Sequence, residues 1–337
     1  MKYFYVNSLI KDRNGRELAK IFDLNMNLVE LKAKKVCGPF GDVLKKQKRL
    51  LIEKTYENAE DVVQASFSLL EEGSFVYPVV KTIINNCLMA LNHWGGEKNK
   101  ESLAKILINF TKTSGENETK FYIFNVLFQL YFEINKFGLL ENLILISENN
   151  RRGKKDFYIY NFYKGLVLFY LDRFAESFEA LRIAFRSKKL KSVSAIPFFL
   201  CAILNGKFPK ESALVKYNCE CLINLSQSVK YGIYNQTTLD VENISNFLIK
   251  NHLFRPCYTF LPLISFCNLI KRLYYLFSTD AKLEIERIRE ATEMDHLEIF
   301  SLLTSAIDID MIKGYLSVNK GVVVFSKVNP FPNEINL

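Results

Sequence analysis

Three histidines, seven cysteines and a scatter of carboxylates are the groups in this 337-residue chain that could hold a metal or move a proton. Their spacing supports neither. His93, His252 and His296 have no partner His, Cys or carboxylate at the intervals of a metal site, and His93-Trp94 reads as structural. Cys219-Glu-Cys221 lacks the two-residue gap and the second pair that a zinc site needs. Asp308-Ile-Asp310 reads as turn chemistry, not as a catalytic dyad. There is no glycine-rich phosphate loop, nucleophile elbow or His-Glu-x-x-His run. The expectation is a protein without catalysis, cofactor or metal. The cysteines (37, 87, 201, 219, 221, 257, 267) are odd in number and mostly lie in apolar runs, which fits free, buried thiols in a reducing compartment.

The remaining chemistry is charge. The formal net charge is +9, and residues 151–216 alone carry fourteen Lys and Arg against five Asp and Glu. The block of Lys154, Lys155, Arg182, Arg186, Lys188, Lys189, Lys191 and Lys210 suits an acidic chain or a nucleic-acid backbone, both of which offer closely spaced negative charge. A solvated loop between helices is the plain alternative. Residues 275–337 have six Lys and Arg against ten Asp and Glu, so the C-terminal region is acidic overall. The run Lys45-Lys-Gln-Lys-Arg49 reads as a solvated helix face in preference to a nuclear-localisation patch.

Helices must position these groups. Hydrophobic residues make up 49 % and aromatics 14 %, enough for a large core, while 14 Gly and 8 Pro are too few for an all-β chain. The first 55 residues carry the least regular pattern. Apolar residues then recur at three and four, as in Val80, Ile83, Ile84, Cys87, Leu88 and Leu91, with breakers such as Gly95-Gly96 and Gly138 between segments. Tyr163–Phe185 reads as a helical hairpin. Gly165 permits close approach, Leu171-Asp172-Arg173 makes the turn, and Phe174, Phe178, Leu181, Ala184 and Phe185 form the inner stripe. Phe157–Leu171 is short for a bilayer and interrupted by Lys164, and the N-terminus has no signal-peptide pattern. We therefore expect a soluble intracellular protein with no membrane partner.

The end of the chain departs from this rhythm. Asp280–Thr292 reads as a charged amphipathic helix, and Asp295 as the N-cap of a helix His296–Ala306, with Glu298 three residues on. Two β-rich runs follow, Gly314–Val318 and Val322–Ser326, joined by Asn319-Lys320-Gly321. A lone hairpin cannot bury its own face, so it must lean on the preceding helices as a winged helix does. The expected fold is all-α: a right-handed superhelical array of helical hairpins, tetratricopeptide-like, ending in a winged helix with a small β-hairpin. The expected segments are 1–150, an N-terminal helical-repeat region; 151–265, the helical part of the second domain; 266–332, the winged helix; and 333–337, a tail.

Several pieces occur in an order that resembles the PCI domain, named for the proteasome lid, the signalosome and a translation initiation factor. They are Phe174-x-x-x-Phe-x-x-Leu-x-x-Ala-Phe185, Ile203-Leu-Asn-Gly-Lys-Phe-Pro209, Asn268-Leu-Ile-Lys-Arg-Leu273, Ile312-Lys-Gly-Tyr315 and Phe325-Ser-Lys-Val-Asn-Pro-Phe-Pro332. Together they resemble the branch of mRNA-export subunits and their signalosome-associated relatives, over about residues 156–332. Three features depart from that branch: Ser177 stands where an alanine is usual, the loop from Arg186 to Ser192 is short, and the helix before Asp295 is compressed and acidic.

The resemblance implies a non-catalytic scaffold in a nuclear complex that couples transcription to mRNA export, with the cytoplasm as a second compartment. Its implied partners are a larger PCI scaffold and a small, acidic, disordered protein. RNA or double-stranded DNA would be met without sequence preference. Lys271-Arg272 aligns with a basic pair of the export branch, and Lys313, Lys320 and Lys327 sit on or beside the hairpin, so these five are the expected nucleic-acid contacts. Lys188, Lys189, Lys191, Tyr315, Val323 and Phe325 are the expected partner contacts. A signalosome-associated or splicing-linked subunit, and an adaptor that binds only protein, are the alternatives.

Overall fold

A computed structural model describes residues 2–23, 35–36, 38–53, 56–94, 97–113, 118–147, 155–278 and 280–332. The chain forms two compact units, 1–160 and 161–337. The change-over lies inside a single helix, α9 (Lys155–Tyr170). The expected limit at residue 150 falls outside the described residues, and the one at 265 falls inside an unbroken helix, α16 (Phe254–Phe277).

The first unit is built from α1 (Lys2–Lys11), α2 (Gly15–Phe22), α3 (Pro39–Glu53), α4 (Tyr56–Ser68), α5 (Tyr77–Trp94), α6 (Glu97–Thr113), α7 (Glu118–Glu133), α8 (Phe137–Ser147) and the start of α9. Each of α3 to α8 packs on its sequence neighbour or the one beyond, as stacked helical hairpins do. The periodic apolar residues of α5 form its core: Val80, Ile83, Ile84 and Cys87 are fully buried. The irregular first 55 residues are mostly helical where they are described, with a turn at Asp12–Asn14 between α1 and α2. Asn14 caps α2, its side chain accepting from the Glu17 amide at 3.3 Å, and Gln47, inside the basic run on α3, is buried and donates to the Phe22 carbonyl at 3.0 Å.

The second unit continues with α10 (Phe174–Phe185), α11 (Lys191–Leu204), α12 (Glu211–Lys216), α13 (Ile223–Tyr231), α14 (Tyr234–Asn243) and α15 (Ser245–Lys250). Asp172 makes the α9–α10 turn with φ +63°. A Cβ at Gly165 would stand 2.6 Å from Leu181 Cγ, so only glycine allows the two helices this contact. The long helix α16 then packs against α11, α13, α14 and α15.

Past α16 come β1 (Lys282–Glu284), α17 (Ile285–Thr292), α18 (His296–Asp308), β2 (Gly314–Ser317) and β3 (Val322–Phe325). Asp295 caps α18 as expected, accepting from the Glu298 amide at 2.7 Å. The sheet has three antiparallel strands in the order β1-β3-β2, one more than the sequence suggested. Residues 280–284 are therefore not helical: Asp280 and Ala281 both take positive φ, and the Ala281 carbonyl accepts from the Phe325 amide at 2.8 Å. A period-2 signal three residues long cannot be told from the first turn of an amphipathic helix, so Leu283 fitted either reading. Gly321, with φ +60°, closes the β2–β3 turn.

Register puts Leu283, Val323 and Leu316 in one row across the sheet, on the face turned to the helices. Tyr274 of α16, Phe325 and Phe331 close this core, their ring centroids 4.8 to 5.4 Å apart. The sequence after β3 folds back to pin the end of the chain to the core. The Ser326 hydroxyl accepts from the Val328 amide at 3.2 Å, Asn329 turns the chain with φ +47°, and the Pro330 carbonyl accepts from the Lys313 amide at 2.9 Å. Phe331 is thereby delivered into the core at 8 % exposure, a burial worth about 1.5–3 kcal/mol.

Among the described residues, two helical stretches, Ser74–Asn92 and Phe254–Phe277, are long and apolar enough to cross a bilayer, and 56 % and 50 % of their most apolar 18 residues are buried inside the fold.

Candidate partner and nucleic-acid interface

The solvent face of the sheet is set by the pleat. Residues adjacent to the buried row point the other way, so Lys282, Val324 and Tyr315 form the outward row across the three strands. Tyr315 is 62 % exposed, on an edge strand. Val323 and Phe325, expected to meet a partner, are buried at 0 % and 3 %. That expectation is corrected: both side chains face the helices and bind the module together. β3 is an unbroken apolar run, Val-Val-Val-Phe, so its residues look equivalent in sequence and only register separates its faces.

The expected nucleic-acid contacts divide into three kinds. Lys313, Lys320 and Lys327 are exposed, and none pairs with a carboxylate among the described residues. Lys313 and Lys327 flank the open end of the β2–β3 ladder and Lys320 lies in its turn, roughly 15 Å away at the rise of a strand. Arg272 is held: it donates to the Tyr231 carbonyl at 2.8 Å, at the end of α13, and its guanidinium lies 5.5 Å from the Tyr231 ring. Lys271 is half-buried and lines a groove of about 700 Å³ with Lys207, Phe178, Phe208, Cys267 and Phe331. Lys207, part of the Ile203–Pro209 piece of the resemblance but not among the expected contacts, lies 4.3 Å above the Phe178 ring. Its place in that piece, just after the Asn205-Gly206 turn, was the signal that could have marked it.

Lys188 and Lys189 are exposed in the turn between α10 and α11, and Lys191 opens α11. Lys191 lies 5.8 Å from the Phe185 ring and 5.9 Å from that of Tyr217. Of the expected basic block, Lys154 and the Lys155 side chain lie outside the described residues, and Arg182 pairs with Glu179. The groove lysine Lys207 and the turn lysines stand at opposite ends of α11, about 20 Å apart at 1.5 Å per residue.

The core encloses several free thiols, and burial holds them neutral. It pushes Cys87, Cys201 and Cys267 up to about 12 and Cys219 to about 11. Cys219 is buried and donates to the Tyr217 carbonyl at 3.4 Å, whereas Cys221 is exposed. Among the described residues no group of three His, Cys, Asp or Glu side chains could hold a metal ion. His296 Nε2 lies 3.7 Å from Glu286.

The geometry is thus one of exposed charge and an open sheet edge on a well-packed helical body. No family model matches the chain. It is similar to several curated proteins. Over 229 residues it is 28 % identical to the PCI domain-containing protein 2 homolog of Dictyostelium discoideum, covering 62 % of this chain and 52 % of that protein. Over 249 residues it is 26 % identical to PCI domain-containing protein 2 of Xenopus laevis, covering 68 % and 62 %. Over 237 residues it is 21 % identical to the Protein CSN12 homolog of Schizosaccharomyces pombe, covering 64 % and 55 %. The chain spans between about half and three-fifths of the length of these relatives.

Proposed function

Because this chain is a relative of PCI-domain proteins, we propose that it is a non-catalytic PCI scaffold subunit of a nuclear complex coupling transcription to mRNA export. The observation that carries the reading is the three-stranded sheet seated on α16, α17 and α18 at the end of a helical body, with an edge strand and Tyr315 turned outward. An edge strand offers unpaired backbone groups, so β2 suits docking by strand addition to a second PCI subunit. The groove of Lys207 and Lys271, with its apolar floor, suits an acidic, disordered chain that brings apolar anchors. Lys313, Lys320 and Lys327 are free to meet RNA or double-stranded DNA beside a partner's own basic surface. Similarity to the CSN12 homolog supports the signalosome-associated alternative as well.

Affinity purification from the source organism, with mass spectrometry, tests the assignment. The expected catch is a larger PCI scaffold of an mRNA-export complex together with a small acidic protein. Recovery of proteasome-lid subunits without such a scaffold would reject it. A gel-shift titration of the complex decides the nucleic-acid part: no salt-sensitive binding leaves a protein adaptor.

A further inference from the structure

The end of α11 remote from the groove gathers a surface that the sheet-based reading does not use. The turn Arg186–Leu190 is compact, with the Ser187 amide donating to the Ala184 carbonyl and the Leu190 amide to the Ser187 carbonyl. It presents Arg186, Lys188 and Lys189 to solvent. Lys191 follows on α11, and Lys216 comes from the end of α12, beside the same ring: Lys191 and Lys216 lie 5.9 and 5.6 Å from the Tyr217 centroid. Two elements distant in sequence thus converge on one patch.

All five cations are uncompensated. The ion pairs of this region are Arg173–Glu176, Arg182–Glu179 and Arg255–Asp172, and none of the five has a carboxylate partner among the described residues. Tyr217 is half-buried and packs edge-to-face on Phe185, centroids 4.8 Å apart, so the ring stands rigidly among the lysines.

We propose that this patch, Arg186, Lys188, Lys189, Lys191 and Lys216 around Tyr217, binds the backbone of single-stranded RNA independently of sequence. The chemistry favours a nucleic acid over an acidic protein. An exposed ion pair to a protein carboxylate is worth about 0–1 kcal/mol. A nucleic-acid strand carries condensed counterions, and their release supplies binding free energy for each phosphate neutralised, even on a surface without apolar pockets. An aromatic ring among the cations adds a surface on which a base can stack. The patch belongs to the helical body, not to the winged helix, and the proposal stands whether or not the sheet docks a PCI partner.

The test is fluorescence anisotropy of a labelled oligouridylate with the full chain, across a salt series. Intact protein is expected to bind with a log–log salt slope that becomes shallower by about 0.7 for each contacting lysine replaced. The variant Lys188→Glu/Lys189→Glu/Lys216→Glu should lose at least tenfold in affinity, with an unchanged circular-dichroism melt. Its arginine counterpart at the same positions should retain binding. Three results would overturn the proposal. The intact chain fails to bind at low salt; polyglutamate competes as well as RNA; or Lys313→Glu/Lys320→Glu/Lys327→Glu abolishes binding while the patch variant leaves it intact.

Discussion

The Ser177 hydroxyl donates to the Gly165 carbonyl at 2.7 Å, across the seam where α9 and α10 approach most closely. Ser177 is fully buried, so its hydroxyl needs that acceptor. The departure from the alanine usual in the related branch is therefore accommodated by the same glycine that lets the helices touch. Gly165→Ala forces its methyl group into Leu181 and should destabilise the chain by about 1–3 kcal/mol. Ser177→Ala removes only a hydrogen bond and should cost about 1 kcal/mol or less, since the carbonyl remains inside a helix. Urea denaturation of both variants checks the order; equal losses would mean that the seam is not tight.

In the winged region the exposed and buried rows should part company experimentally. Val323→Asp places a carboxylate in a sealed apolar core and should cost about 3–5 kcal/mol, as should the cavity left by Phe325→Ala. Tyr315→Ala, on the outer row, should leave the melting temperature within a degree or two, a surface-sized effect of about 0.5 kcal/mol. In a pull-down, that same substitution should weaken recovery of the partner. A stable Val323→Asp protein would show that the strand register is wrong.

Arg255 clamps the α9–α10 turn to the start of α16. It donates to the Tyr170 carbonyl at 2.6 Å and to both Asp172 carboxylate oxygens at 3.0 and 2.9 Å. Burial raises the Asp172 carboxyl above its ordinary 3.8, against the pull of Arg255. The folded state then holds the proton more tightly than the unfolded one, so Asp172 costs stability as pH rises from about 4 through its raised value. Asp172→Asn keeps an acceptor and tolerates φ +63°, and should flatten that part of the pH–stability curve. Asp172→Ala loses the acceptors and keeps the strained backbone, with a cost of about 1–3 kcal/mol at neutral pH. Chemical denaturation between pH 4 and 7 would show it; a steeper fall for the Asn variant than for wild type contradicts the sign.

Thiol reactivity should separate the cysteines cleanly. In a Cys37→Ser background, an aromatic disulfide reagent near pH 8 should modify Cys221 first, because among the described cysteines it alone is exposed. Cys87, Cys201 and Cys257, buried and with their thiols pushed up, should react only on unfolding. Peptide mapping after a short pulse reads the result, and early labelling of Cys201 or Cys257 would show that the second unit opens locally.

Periodicity alone was enough for the helical body: Val80 to Leu91, the stripe from Phe174 to Phe185 and the cap at Asp295 all occupy the roles their spacing dictates, because helix formation and its capping are local. The hairpin was equally legible, since Gly321 between two short β-rich runs encodes it within a dozen residues. Three matters needed the tertiary structure. β1 is a strand only because β3 pairs with it, and nothing local distinguishes Leu283 from a helical apolar position. Val323 and Phe325 became core, and Tyr315 surface, when register turned one face of the sheet to the helices. The cations of residues 151–216, one basic stretch in sequence, divide between Lys207 in a groove at one end of α11 and a patch around Tyr217 at the other, because a helix carries its two ends apart while the fold brings Lys216 back beside Lys191. Charge is written in the sequence, but which charges face one ligand depends on long-range packing.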